Sequence, residues 1–157
     1  MKPAVYLETS IIGYLAGRPS RDLIIAGRQQ ITRDWWERER AKYSLFISAL
    51  VLQESRQGDP MAAGIRDQTL QGLPLLGTSS ETEELASALV AQGHIPAQCL
   101  EDALHIALAA TNDIDYLLTW NFRHINNARI KSSVAEAISL LGFTCTVICT
   151  PDELRGE

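Results

Sequence analysis

Short apolar runs alternate along the chain with longer stretches whose apolar residues recur at helical spacing. Val5–Leu7 is an apolar run that stops at Glu8, and Thr9 or Ser10 can cap a following helix. Between residues 21 and 41, Leu23, Ile24, Ala26, Gly27, Ile31, Trp35 and Trp36 stand among charged positions and predict a helix. Leu45–Ile47 is the second β-like run, bounded by Ser44 and Ser48. Helical material resumes over 49–57, is broken by Gly58-Asp59-Pro60, and restarts at Pro60. Leu73–Leu76 predicts a third strand between two glycines. Ser79, followed by Glu81, Glu83 and Glu84, marks a helix start, with the end near Gly93. Pro96 opens another helix, reaching about Thr111. Tyr116–Thr119 is the fourth strand, 130–141 a helix stopped by Gly142, and Thr144–Thr150 a last strand ended by Pro151. Strands separated by helices predict an α/β fold, with a mostly parallel central sheet of four to five strands flanked by helices.

A length of 157 residues fits one domain, expected over 1–150 with 151–157 as a C-terminal tail. Hydrophobic residues make up 46% of the chain and charged residues 21%, an ordinary globular balance. No apolar run approaches the roughly 20 residues that span a bilayer, so no membrane partner is expected. The opening Met-Lys-Pro-Ala-Val-Tyr-Leu-Glu reaches an acid before a signal-peptide core could form, which predicts a cytoplasmic protein. Cys99, Cys145 and Cys149 show no C-x-x-C spacing; they read as buried reduced thiols, and a zinc site lacks its ligand spacing. The net charge of −5 argues against broad electrostatic binding of nucleic acid, but not against an enzyme that reaches phosphates through metal ions.

Ligands of open parallel sheets bind beyond the carboxyl ends of the strands. Glu8 follows the first predicted strand and Trp120-Asn121 the fourth, while Glu54 lies in the helix after the second and Asp102 early in the helix before the fourth. If the strand order gathers these segments, three carboxylates and a carboxamide converge. Such a cluster is costly unless a cation fills it, and oxygen ligands of this kind suit Mg²⁺. Phosphodiester hydrolysis is the chemistry that this equipment fits best.

These segments resemble a known family. Tyr6-Leu7-Glu8-Thr9-Ser10-Ile11-Ile12 resembles the opening of PIN domains, where a strand delivers an acid followed by Thr or Ser. Glu54 matches the family's second acidic position, and Glu101–Ala109 resembles its helix with an aspartate before an alanine-rich stripe. Leu117-Leu118-Thr119-Trp120-Asn121-Phe122 resembles its strand-to-loop segment, and the four segments stand in family order across residues 4 to 125. The resemblance implies a Mg²⁺- or Mn²⁺-dependent endoribonuclease with Glu8, Glu54, Asp102 and Asn121 as catalytic and metal-binding residues. Small bacterial members are typically VapC-type toxins of toxin–antitoxin pairs, which implies an RNA substrate, a cognate antitoxin and a homodimer. Two positions depart from the family pattern. Glu8 stands where Asp is usual, moving the carboxylate by roughly 1.5 Å, and Asn121 replaces a frequent Asp, leaving three formal charges. A scaffold that binds RNA or protein without cutting is therefore the alternative.

Among supporting residues, Thr9, Ser10 and Thr119 can hydrogen-bond a carboxylate or a metal-bound water. His105, one turn beyond Asp102, can contact substrate or simply pack. Arg123 and His124 are placed for a phosphate contact. Asp115 falls at the opposite end of its strand and reads as structural. Trp35 and Trp36, with Arg33, Arg38 and Arg40, read first as a packed helix or dimer face and second as a base-stacking surface.

Overall fold

A computed structural model describes residues 1–156. Five strands, β1 (Ala4–Leu7), β2 (Ser44–Ser48), β3 (Leu75–Leu76), β4 (Tyr116–Leu118) and β5 (Val147–Cys149), form one sheet in the order β3-β2-β1-β4-β5. Every pairing is parallel, as the alternation of strands and helices predicts. Among the described residues seven α-helices supply the crossovers and flank the sheet: α1 (Thr9–Ala16), α2 (Leu23–Arg38), α3 (Ala49–Ser55), α4 (Pro60–Leu70), α5 (Ser80–Ala91), α6 (Leu100–Thr111) and α7 (Lys131–Leu140).

The central strands are covered on both faces, which is why they read as continuous apolar runs rather than alternating ones. Val5, Tyr6, Leu7, Leu117 and Leu118 are all fully buried. The edge strands are shorter than the sequence predicts. Pro74 has no N–H to add to the ladder, and β3 begins only after it, although the Pro74 carbonyl still accepts from Ile47 N at 3.0 Å. β5 spans Val147–Cys149 rather than 144–150. Trp35 is fully buried and donates its indole N–H to the Leu154 carbonyl at 3.0 Å, tying the C-terminal residues 151–156 to α2. Trp36 stacks under the Arg40 guanidinium at 4.5 Å. These tryptophans serve packing.

Strand order positions the site. The connections run one way from β1 to β2 to β3 and the other way from β4 to β5, so the direction reverses between β1 and β4, the usual crevice position in such sheets. The register pairs Leu7 with Leu118, which sets Glu8 beside Thr119 just past both strand ends. Asp115 lies at the opposite end and accepts from Ala4 N at 2.7 Å, a structural contact as its position suggests.

Candidate active site

Glu8 sits at the N-cap of α1 in extended geometry, yet neither it nor its neighbours cap the helix through a side chain. The Thr9 and Ser10 hydroxyls, expected as caps, turn to carboxylates instead. Ser10 Oγ donates to Glu8 Oε1 at 2.5 Å and Thr119 Oγ1 donates to the same oxygen at 2.6 Å. Each hydroxyl also accepts a backbone N–H, Ser10 from Trp120 at 2.8 Å and Thr119 from Asn121 at 2.9 Å. With an N–H already pointing at each oxygen, each hydroxyl proton is directed to Glu8. The loops after β1 and β4 are thus stitched together around a carboxylate that is only 5% exposed.

Glu54, on α3, is held by a second set of donors. Thr9 Oγ1 donates to its Oε1 at 2.7 Å and His105 Nε2 donates to the same oxygen at 2.6 Å. His105 Nδ1 lies 2.7 Å from the Tyr6 hydroxyl, which lies 2.7 Å from Ser48 Oγ. Ser48 caps α3 by accepting from Val51 N. For a neutral imidazole this fixes every proton. Nε2 donates to Glu54, so Nδ1 accepts from Tyr6, and Tyr6 accepts from Ser48. Burial pushes the Tyr6 phenol well above its ordinary pKa, reinforced by the nearby Glu8 and Glu54 charges, so it remains a donor. For Glu54, burial acts upward, but the hydrogen bond and attraction of His105 and the Thr9 hydroxyl outweigh it and hold the carboxyl below its usual range.

Asp102 enters from the first turn of α6. The helix predicted from Pro96 begins as a 3₁₀ turn over Ala97–Cys99, and α6 proper starts at Leu100. Asn121 Nδ2 donates to Asp102 Oδ1 at 3.1 Å and His124 Nδ1 lies 3.1 Å from Oδ2. The Asn121 side-chain oxygen accepts from Arg123 N and His124 N, both at 3.1 Å. That oxygen has both lone pairs engaged, so Asn121 orients Asp102 and shapes the loop rather than offering a ligand atom. Asp102 is raised above the ordinary aspartate range, first by burial and further by the Glu8 charge, against the lowering pull of His105 and His124.

The four segments meet at one end of the sheet, and Glu54, Asp102 and Cys99 line one cavity of about 270 Å³ with Leu50, Gln53 and Gln57. A larger apolar cavity of about 450 Å³ adjoins it between α3, α5 and α6, but carries none of the clustered acids. No lysine or arginine nitrogen lies within 4 Å of Glu8, Glu54 or Asp102 among the described residues. Both glutamates are gripped through Oε1, and Oε2 of each accepts no hydrogen bond among the described residues. Free carboxylate oxygens without a protein cation fit a hard divalent ion. The three carboxylates do not each bring an oxygen within 4.8 Å of the others. An ion shared by all three would therefore reach some of these oxygens only through its waters.

The remaining sequence candidates are placed as follows. His105 is completely buried, so it acts on Glu54 and has no surface for substrate. Arg123 contributes its backbone N–H to the Asn121 turn. Sequence reasoning missed Tyr6 and Ser48, which look like ordinary core and capping residues, and misread Cys99. Of the three thiols expected to be buried only Cys149 is; Cys145 is half-buried, and Cys99 is half-buried at the cavity, 3.9 Å from His124 Nε2.

Solved structures share this architecture. A chain of VapBC2 from Rickettsia felis, determined bound to a DNA fragment from their promoter, matches with a TM-score of 0.59 and 18% identity, over 94% of this chain and 98% of that chain. VapC20 from Mycobacterium tuberculosis, described as a sarcin-ricin loop cleaving toxin, matches with a TM-score of 0.58 and 16% identity, over 89% and 96%. No family model matches the sequence, and no curated protein does. The chain has the PIN-like α/β fold of VapC toxins. No helix among the described residues is long and apolar enough to cross a membrane.

Proposed function

We propose that the chain is a divalent-metal-dependent endoribonuclease, the toxin half of a toxin–antitoxin pair. The observation that carries this reading is the paired grip on Glu8 and Glu54, each fixed through one oxygen, with no lysine or arginine paired to either among the described residues. Glu8, Glu54 and Asp102 would hold Mg²⁺ or Mn²⁺. Such an ion supplies charge neutralisation at a phosphate and a more acidic bound water.

The protein's own contribution is orientation. Ser10 and Thr119 hold the buried Glu8 carboxylate against its desolvation, which also meets the extra reach of a glutamate at this position. His105, fixed by Tyr6, prevents Glu54 from rotating away. Asn121 and His124 hold Asp102 from the β4 loop. The substrate class is RNA, with structured hairpins of the sarcin-ricin kind as probes alongside unstructured strands. A cognate antitoxin protein and a homodimer complete the expected partners, and the cytoplasm is the expected compartment.

The test incubates purified protein with an RNA panel, with and without Mn²⁺, beside Asp102→Asn. Cleavage should require the metal and fall at least about 100-fold in the variant, more than the loss of a mere supporting group. One observation favours a second reading, a non-cutting RNA- or protein-binding module: the wide spacing of the three carboxylates, with the Asn121 oxygen already engaged. Tight binding of RNA or a partner with no cleavage under any metal would establish that reading instead.

A further inference from the structure

Beside the carboxylate cluster lies a group of different chemistry. Cys99, Asp102 and His124 each offer a ligand atom, and these atoms lie within 4.8 Å of one another; no other three His, Cys, Asp or Glu side chains are set so closely among the described residues. The His124 ring touches both of the others, with Nδ1 3.1 Å from Asp102 Oδ2 and Nε2 3.9 Å from Cys99 Sγ. Cys99 and Asp102 both open onto the 270 Å³ cavity, which gives an ion a route in.

We propose that Cys99 and His124, sharing Asp102 with the carboxylate cluster, form a second site for a borderline transition-metal ion of the Zn²⁺ or Co²⁺ type. Thiolate and imidazole select such ions over Mg²⁺, which takes oxygen ligands. Three protein ligands leave a fourth position for water. Metal–ligand bonds of about 2.0–2.3 Å at tetrahedral angles set ligand atoms roughly 3.4–3.6 Å apart. The present spacing therefore contracts modestly, with a small ring rotation that exchanges one His124 hydrogen bond for the ion. The Cys99 thiol loses its proton to solvent as the bond to the metal forms.

The sequence conceals this site, because Cys99 and His124 are 25 positions apart and show no finger-like spacing. The proposal stands without the nuclease reading. Combined with it, one consequence follows: the softer ion draws Asp102 away from Glu8 and Glu54, so it competes with Mn²⁺.

The experiment titrates Co²⁺ into metal-free, reduced protein and follows the near-ultraviolet thiolate-to-cobalt charge-transfer band. Parent protein should show the band saturating at one ion per chain, with Zn²⁺ abolishing it. Cys99→Ser should remove it, and His124→Gln should weaken affinity at least about tenfold. Cys145→Ser should leave the band intact. A missing band in the parent, or a band that survives Cys99→Ser, overturns the proposal. Far-ultraviolet circular dichroism of each variant checks that a lost band is not a lost fold. In RNA assays with Mn²⁺, Zn²⁺ should inhibit the parent at least about tenfold more strongly than Cys99→Ser. Absence of any cleavage would count against the nuclease reading and leave the cobalt result standing.

Discussion

Tyr6→Phe removes one oxygen from the middle of the Ser48–Tyr6–His105–Glu54 chain while keeping the ring that fills the core. Tyr6 and His105 are completely buried and Ser48 is almost so, so no water can replace the lost hydroxyl. His105 Nδ1 then has no donor, and the Ser48 hydroxyl proton has no acceptor. A buried polar group left unpaired costs about 1–3 kcal/mol. Ser48 keeps its bond from Val51 N, so the sum falls on the order of 2–4 kcal/mol. At roughly 2–4 °C per kcal/mol for a chain of this size, Tm should drop by about 4–16 °C. Urea unfolding of metal-free protein should show a lower midpoint with an unchanged slope, the sign of lost stability rather than a changed unfolded state. A second readout separates orientation from packing. With His105 no longer fixed, Glu54 loses its directed donor, and Mn²⁺ affinity should fall about 10–100-fold, as when groups supporting a metal ligand are removed. A Tm within about 1 °C of the parent, with unchanged Mn²⁺ affinity, would refute the claim that this chain positions Glu54.

Asp102→Asn should stabilise the metal-free protein at neutral pH. The folded-state pKa of Asp102 is raised, mainly by burial, so its contribution is fully present below the unfolded pKa and lost as pH rises through the folded one. The ionised carboxyl is thus a liability at pH 7, and the variant's Tm should exceed the parent's by about 2–4 °C per kcal/mol relieved. Differential scanning calorimetry in acid should show that gain vanishing; a lower Tm at neutral pH contradicts it. Glu54 runs oppositely: its lowered pKa gives stability that is lost as pH falls through the folded value, and Glu54→Gln should flatten that acid limb of the stability curve. Phe122 is 42% exposed, with the Arg28 guanidinium 5.0 Å from its ring. Phe122→Ala, in an Asp102→Asn background that prevents cutting, should weaken single-stranded RNA binding by about 1–3 kcal/mol in fluorescence anisotropy if a base stacks there; equal affinity removes the ring from the binding surface. Asp22 accepts from Ile24 N and Ile25 N at the start of α2, and Asp22→Ala should lower Tm by about 2–4 °C through loss of a cap worth about 1 kcal/mol; an unchanged Tm would show that the cap carries no stability.

The fold was legible because its signals are local. Val5–Leu7 and Leu117–Leu118 are unbroken apolar runs because helices cover both faces, and the glycines and prolines mark the joins. The gathering of Glu8, Glu54, Asp102 and Asn121 followed from strand ends plus family resemblance, since no local pattern states strand order. What each residue does there was hidden in long-range pairings. Tyr6 meets His105 across 99 positions and Thr119 meets Glu8 across 111. Thr9 and Ser10 follow a strand and precede a helix, the usual place for caps, and only the neighbouring carboxylates and the Trp120 N–H reveal another use. The start of α6 at Leu100 was equally illegible, because Pro96 suits a 3₁₀ turn as well as an α-helix; that turn puts Cys99 opposite His124.

The acidic balance of the chain bears on how such a site can meet a polyanion. A net charge of −5 repels RNA at a distance, but physiological salt screens this beyond about 8 Å, so local groups decide the encounter. Locally, three carboxylates share an end of the sheet with two histidines, and no lysine or arginine pairs with them among the described residues. Without a cation that surface opposes a phosphate, and burial makes the Asp102 charge costly, as its raised pKa shows. A divalent ion reverses both: it relieves the repulsion between Glu8 and Asp102 and presents positive charge to the substrate. Asp102, whose ionised form weakens the empty fold, is then a source of its affinity. Replacing Asp102 by a neutral amide therefore exchanges binding for stability, and the two measurements on Asp102→Asn should move in opposite directions.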